Sequence, residues 1–394
     1  MEFSGCNLYT GIYTVIQTKD GIITSIEEMK DRPVLDSDPI LSRGFVDAQV
    51  NGYRGVDYSG VSLTEEKILS LIEDLAQTGT LRHIPTIITN SQERIEENLT
   101  IIKKAVAHNA RIRHAIAGIH IEGPYISKDD GPRGAHDPLF VRDPNIRELR
   151  SAQKAAGGLI KLVTIAPERE GSLGFIKEAR NMGIAIALGH CNPTPEQIQQ
   201  SVEAGASIST HLGNGSHALL PRLKNHIWEQ LANDHLYAGI ISDGFHLPES
   251  VLKVYLRAKG LSKLFLVSDV ALLGGYDSGI YRWGNIEVEV FADGHLGLPG
   301  SPYLAGAGHL LDWDIPHFRN VTGSSLLETV SLATTNPVVA LDLGGDTGNF
   351  AVGQSSDLIC FKDGVRRLQV LSYSHGIYEE VLVYHERRQN NAKD

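Results

Sequence analysis

Short apolar runs recur along the middle of the chain without strict alternation of apolar and polar positions. They are Phe45–Val50, Ile84–Thr89, Ile116–Glu122, Leu162–Ile165, Ile184–His190, Ser207–His211, Ala238–Asp243 and Leu264–Asp269. Continuous apolar strands of this kind are what a parallel sheet covered on both faces requires. Between them lie segments with helical spacing of apolar positions: Leu63–Gln77, Glu93–His108, Asn145–Ala156, Ser172–Asn181, Pro195–Ala204, Ile227–Asn233 and Pro248–Lys259. Thr194-Pro195-Glu196-Gln197 is a helix start, with a Thr cap, Pro at the first helical position and Gln at the third. Eight strands alternating with helices predict a (β/α)₈ barrel of TIM type over residues 44–343, with a last helix over Ser325–Leu341.

The two ends of the chain read differently. Tyr9–Gln17 and Ile22–Met29 flank a Lys19-Asp20-Gly21 turn, and Asp357–Phe361 and Leu368–Tyr373 flank Lys362-Asp363-Gly364. Asp-Gly between two β-rich runs is a hairpin signal. Residues 1–43 and 344–394 are therefore expected to combine into one small β-sandwich domain. Gln389–Asp394, polar and charged, is expected to lack fixed structure.

Composition removes several classes of function. The net charge is −11 and Lys and Arg form no basic block, so no nucleic-acid partner is expected. Apolar runs stay far below the ~20 residues of a membrane helix, and Met1–Gly11 has no signal-peptide pattern. Three widely spaced cysteines (Cys6, Cys191, Cys360) make neither a disulfide framework nor a zinc knuckle. A cytoplasmic protein is expected.

Candidate chemistry sits where the strands stop: Gln49 and Asn51, Glu122, His190, His211, Asp243 and Asp269. In a (β/α)₈ barrel that rim carries the active site. Either histidine alone would ordinarily be a hydrogen-bonded core residue. Glu122, His190 and His211 at three strand ends instead make a metal set of two imidazoles and a carboxylate, with a position left open. Asp269 ends the eighth strand, where it could take a proton from an attacking water and deliver it to a leaving amine.

Seven segments carry a family resemblance in order: Gly44–Gly52, His120–Pro124, Gly134-Ala135-His136, Gly189–Asn192, Thr210-His211-Leu212, Ser242–His246 and Val267-Ser268-Asp269. The set resembles the N-acetylglucosamine-6-phosphate deacetylases of the amidohydrolase superfamily. The resemblance implies hydrolysis of the N-acetyl group of a phosphorylated amino sugar, with Asp269 as general acid/base and Glu122, His190 and His211 holding one divalent ion. Zinc leads among the ions that suit such a set. It also implies substrate contacts at His136, Asn214, Gly215, Arg222, Asp243 and His246, and in the small-residue segment Leu304, Ala305 and Gly306. A homodimer is implied as well. Gln49 and Asn51 stand where many amidohydrolases carry His-x-His for a second metal, which points to the single-metal branch. Strand four ends in Thr164-Ile165-Ala166-Pro167, without the lysine that bridges two metals in dihydroorotase-like relatives.

Two departures bear on the sugar. Asn214-Gly215-Ser216 replaces the family's Asn-Ala-Met, and Ala307-Gly308-His309 continues into an unfamiliar Asp312-Trp313-Asp314. They keep open a second substrate, such as N-acetylgalactosamine 6-phosphate, and beside it a barrel homologue without catalysis. Cys191 is read as a packing residue, and His83, His114, His226, His235 and His385 as surface or packing groups.

Overall fold

In the computed structural model, eight parallel strands run in sequence order around a barrel: Phe45–Val50, Thr80–Ile88, Ile119–Glu122, Ile160–Ile165, Ala185–Leu188, Ile208–Ser209, Tyr237–Ile240 and Leu264–Leu266. The structure describes residues 1–283, 286–301, 303–375 and 378–380. The expected loose end Gln389–Asp394, and His385, lie outside them.

Each strand has two phases. Ile121, Val163, Ile165, Ile186 and Leu188 face outward into the large core shared with the surrounding helices. Leu162, Ala185, Ala187 and Ile208 face inward and fill the lower barrel with Ile84, Phe265 and Val267. Because side chains alternate along a strand, His120 and Glu122 share one phase, and the register pairs them with Leu162 and Thr164. Glu122 therefore points to the barrel axis.

The first and eighth strands close the barrel without a regular ladder. One bridge joins Val50 and Val270. Above the eighth strand, Asp269 N–H donates to Gln49 O at 3.0 Å and Ser268 N–H to Asp47 Oδ1 at 3.2 Å. Below, the gap is filled from elsewhere in the chain. Leu266 N–H donates to Leu332 O and Val46 N–H to Ala333 O. That insertion corrects the long helix expected over Ser325–Leu341: it is two short helices, Leu326–Ser331 and Thr335–Leu341. The carbonyls between them serve the barrel instead of a helix, since buried strand N–H groups must find partners.

A further helix, Leu311–Thr322, was not legible because Pro316 sits inside it. Proline cannot donate to the carbonyl four residues back. That carbonyl, of Asp312, accepts instead from Leu368 N–H at 2.8 Å, so a residue beyond the barrel repairs the ladder.

Both expected terminal hairpins form. Asp20 and Gly21 have φ of 52° and 76°, the positive values a tight primed turn needs. The small β unit expected of the two chain ends is built on one seven-stranded sheet. Ile40–Arg43 pairs parallel with Glu2–Asn7 and antiparallel with Leu358–Lys362, which joins the two hairpins edge to edge. One face packs Ile359, Phe361 and Val370 against the barrel side, and Phe3, Ile16, Leu41 and Leu358 form a separate small core. A three-stranded sheet at Gly279–Trp283, Ile286–Val290 and Leu296–Gly297 follows the eighth barrel strand and had no counterpart in the expected elements. Among the described residues no helix is long and apolar enough to cross a membrane, and all three cysteines are free.

Asn336 ties the last of these helices to the eighth strand, its Nδ2 donating to Leu261 O and Leu264 O, both at 2.7 Å. Asn336→Ala orphans both carbonyls. It should lower stability by about 1–3 kcal/mol, seen as a reduced thermal midpoint, while bound metal per folded chain stays unchanged.

Candidate active site

Glu122 is held on the third strand, while His190 and His211 each lie two residues past the end of the fifth and sixth. Both histidines, and Asp269 beyond the eighth strand, have positive φ: 51°, 26° and 51°. Few residues other than glycine adopt that region, and such residues gather at functional sites. The left-handed turn takes each side chain out of its ladder and over the barrel mouth.

Three electron-rich atoms converge there. His190 Nε2 lies 3.2 Å from Glu122 Oε1, His211 Nε2 lies 3.1 Å from the same oxygen, and the two Nε2 atoms are 3.0 Å apart. His190 Nδ1 donates to Pro132 O at 2.9 Å, and a carbonyl can only accept, so the neutral ring presents its lone pair at Nε2. Lone pairs this close repel unless a cation or a proton lies among them. A tetrahedral ion with bonds of ~2.0–2.1 Å has donor–donor edges of about 3.3 Å, so the triangle fits a metal. His136 forms a second, wider group with Glu122 and His190, with donor atoms within 4.8 Å of one another.

Charge reinforces the triangle. Burial alone would raise the Glu122 pKa, but the hydrogen bonds and charges of His190 and His211 outweigh it and hold the carboxyl well below its usual range. Burial opposes charge on His211, yet the Glu122 carboxylate raises its pKa.

The amides act as donors to carboxylates. Gln49 Nε2 bridges Glu122 Oε1 and Asp269 Oδ1, both at 2.9 Å, and Asn51 Nδ2 reaches Asp269 Oδ1 at 2.7 Å. Burial, then the negative charge of Glu122, pushes Asp269 up to about 6, against the pull of His211, His246 and the Asn51 bond. Asp269 is only half-buried, so its free oxygen keeps access to the mouth.

His136 is buried, with Nδ1 2.8 Å from Thr89 Oγ1 and its ring edge-on to His190. Burial, then the His190 charge, lowers it to about 3, so the ring is neutral near neutral pH. Asn214 Nδ2 donates to His211 O at 3.2 Å. Gly215 lies so close to His190 that a Cβ there would meet Nδ1 at 2.7 Å, with φ of 55°; this departure from Ala lets the loop press on the ring. Asp243 Oδ1 accepts from Phe245 N–H and His246 N–H, and its Oδ2 accepts from His246 Nδ1 at 2.7 Å. Burial works to raise Asp243, but His246 outweighs it and holds it at about 2. The Leu304–Gly306 segment runs beside Asp269: Leu304 bridges Gly297, and the following Ala307 N–H donates to Asp269 O at 3.3 Å.

Arg222 differs from the rest. It is exposed, without an ion pair among the described residues, and its neighbours Leu219 and Leu223 are 91% and 76% exposed. Within this chain it is not gathered with the other predicted residues.

Sequence reasoning missed a polar layer directly beneath the triangle. His120 Nδ1 lies 3.3 Å from Thr86 Oγ1 and its Nε2 2.7 Å from Thr164 Oγ1, which lies 2.7 Å from Thr210 Oγ1. All four are buried, and burial first lowers His120 to about 4. The available signal was phase: a polar residue two before Glu122 must share its inward face.

No protein-family model matches the chain. It is 30% identical over 398 residues to the N-acetylglucosamine-6-phosphate deacetylase of Bos taurus, covering 93% of this chain and 92% of that protein. It is 31% identical over 381 residues to the N-acetylgalactosamine-6-phosphate deacetylase of Shewanella sp. (strain ANA-3), covering 93% and 92%. Among solved structures, N-acetylglucosamine-6-phosphate deacetylase from Thermotoga maritima superposes with a TM-score of 0.80 at 26% identity, over 94% of this chain and 96% of that one.

The donor triangle and its amide surround set a stoichiometry. Protein loaded with a divalent ion and then desalted should hold close to one equivalent per chain by elemental analysis. The His190→Ala, His211→Ala double variant should hold none. Two equivalents, or metal retained by the double variant, would contradict the single site.

Proposed function

Because the chain belongs to the N-acetylglucosamine-6-phosphate deacetylase family, within the amidohydrolases, we propose that it hydrolyses the N-acetyl group of N-acetylglucosamine 6-phosphate to glucosamine 6-phosphate and acetate. The observation that carries this reading is the convergence of Glu122 Oε1 and the Nε2 atoms of His190 and His211, with Asp269 linked to Glu122 through Gln49. These three residues would hold the metal, and zinc suits two imidazoles and a carboxylate. When bound, a divalent cation there supplies Lewis acidity toward the acetyl carbonyl and lowers the pKa of water toward ~7.

The chain's own residues do the rest. Asp269, steadied by Gln49 and Asn51 on Oδ1, uses its other oxygen to accept a proton from the attacking water. It then returns that proton to the departing sugar nitrogen. His136, neutral and fixed at Nδ1 by Thr89, offers its second ring nitrogen to the acetyl oxygen as negative charge gathers there. Asn214, Gly215 and the Leu304–Gly306 segment line the sugar position, and Asp243 orients His246 as a donor. Arg222 reads the 6-phosphate. A cytoplasmic homodimer is part of the reading, since the exposed Leu219 and Leu223 beside Arg222 are apolar surface a second copy would cover. In this reading residues 44–343 are the catalytic barrel unit, and 1–43 with the described residues from 344 onward are the sheet unit.

Acetate release from a panel of N-acetylated sugars, with and without 6-phosphate, tests the reading. The galacto epimer belongs in the panel because the Shewanella relative is as similar to this chain as the bovine one. No release from any phosphorylated sugar by metal-loaded protein would end it. In the same assay Asp269→Asn should keep its metal and lose ~10²–10⁴-fold in kcat; near-normal kcat would assign the proton to another group. Arg222→Ala should cost about 10- to 150-fold in kcat/KM on the phosphorylated sugar and leave the unphosphorylated one nearly unchanged. Arg222→Lys should restore only part, because an ammonium lacks the two-pronged guanidinium. Equal losses on both sugars would make Arg222 a support of its loop.

A further inference from the structure

Five aromatic rings from three separate segments stack in one row at the barrel mouth. Phe291 lies on His295 with centroids 4.0 Å apart and planes 6° from parallel. His295 lies on Phe245 at 4.5 Å and 22°, Phe245 faces His309 at 5.7 Å and 20°, and His309 lies on Trp313 at 4.1 Å and 7°. The first two rings come from the turn after Ile286–Val290 in the three-stranded sheet. Phe245 comes from the turn after the seventh barrel strand, His309 from just before the helix Leu311–Thr322 and Trp313 from the first turn of that helix.

The backbone is shaped for this contact. A Cβ on Gly294, at the tip of the sheet's turn, would meet His309 Cε1 at 2.8 Å, and one on Gly308 would meet Gly294 O at 2.0 Å. Two glycines thus let the turn lie flat on the 308–309 backbone. Phe245 is the middle rung, and it is anchored at its root. Asp243 Oδ1 accepts its N–H and that of His246, while Trp313 Nε1 donates to Asp243 O at 3.0 Å. The row therefore clamps the 243–246 turn between the small sheet and the Trp313 segment. Stacking fixes the tilt of Phe245, and the adjoining His246 has little freedom of its own, since Nδ1 is already bonded to Asp243.

We infer that Phe245 is a positioning residue: through the ring row it sets His246 in place for the substrate and makes that placement depend on docking of the 279–297 sheet. This rests on the reading of His246 as a substrate contact, and it adds a determinant of affinity that touches no substrate itself. The Trp313 and His309 rungs fall in the part of the chain that departs from the family's pattern.

The test compares Phe245→Leu, which keeps apolar volume without a flat ring, with Phe245→Tyr, which keeps the ring. His295→Leu breaks the row from the sheet side and leaves Phe245 in place. For phosphorylated N-acetyl sugar, Phe245→Leu and His295→Leu should each raise KM about 5- to 10-fold, the size of one or two ring pairs, with kcat changed less than 2-fold. Phe245→Tyr should restore KM. Hydrogen exchange at the 291–295 turn should quicken in both leucine variants of metal-loaded protein and not in the tyrosine variant. If Phe245→Leu does not fold, His295→Leu carries the test alone. Wild-type KM in a folded leucine variant, or a fall in kcat with KM unchanged, overturns the inference. His246→Ala separates the two readings: if it leaves KM unchanged, the role of His246 fails, whereas a raised KM there beside a normal KM in Phe245→Leu refutes only the ring row.

Discussion

Placing the ring nitrogens of two imidazoles and a carboxylate oxygen within about 3 Å of one another is unfavourable unless positive charge sits among them. Much of the barrel mouth can be understood from that constraint. The three donors come from different strands, so only a closed ring of parallel strands brings them to one point. Two of them must leave their ladders in left-handed backbone, which costs strain and is tolerated because the strands beneath are rigidly paired. Pro132 O fixes the His190 tautomer, and Gln49 adds a donor to the shared Glu122 oxygen.

The same logic explains why amides stand at positions 49 and 51. An amide NH₂ donates and cannot compete with imidazole for a metal, so these residues satisfy carboxylates instead. Gln49 bonds both Glu122 and Asp269, which holds the Asp269 carboxylate at a set distance from the donor triangle. Beneath it the His120–Thr164–Thr210 chain fills the barrel axis with groups that satisfy one another. A polar layer at that depth is stable only when its members are paired. Gly189 lets it close, since a Cβ there would meet Thr210 Cβ at 2.6 Å.

Elements outside the ring of strands support the site from two sides. Segment 332–333 completes the floor by serving strand N–H groups that have no neighbour. The 279–297 sheet builds the rim, pairing with the Leu304 segment and placing two rings in the aromatic row. The floor contact joins the first and eighth strands, and the rim contact ties the small sheet to the turn after the seventh strand.

Local pattern was enough to read the strands, most helices and the residues at strand ends, because burial on both faces leaves continuous apolar runs and polar residues stop them. Helices Ser172–Asn181 and Pro195–Ala204 were legible to the residue, since their caps and turn glycines are adjacent in sequence. The ordered motifs also carried the family, and with it the residues proposed to hold a metal and to move a proton. Tertiary structure alone decided what depends on partners far away in the chain. Helix Leu311–Thr322 survives Pro316 only because Leu368 supplies a distant N–H. The break at 332–333 follows from the unpaired edges of strands one and eight, and the terminal hairpins became one sheet because Ile40–Arg43 lies between them. The ring row joins residues 245, 291, 295, 309 and 313. A stacking contact leaves no periodicity in the sequence, because it depends on where three loops meet and not on what any one of them contains.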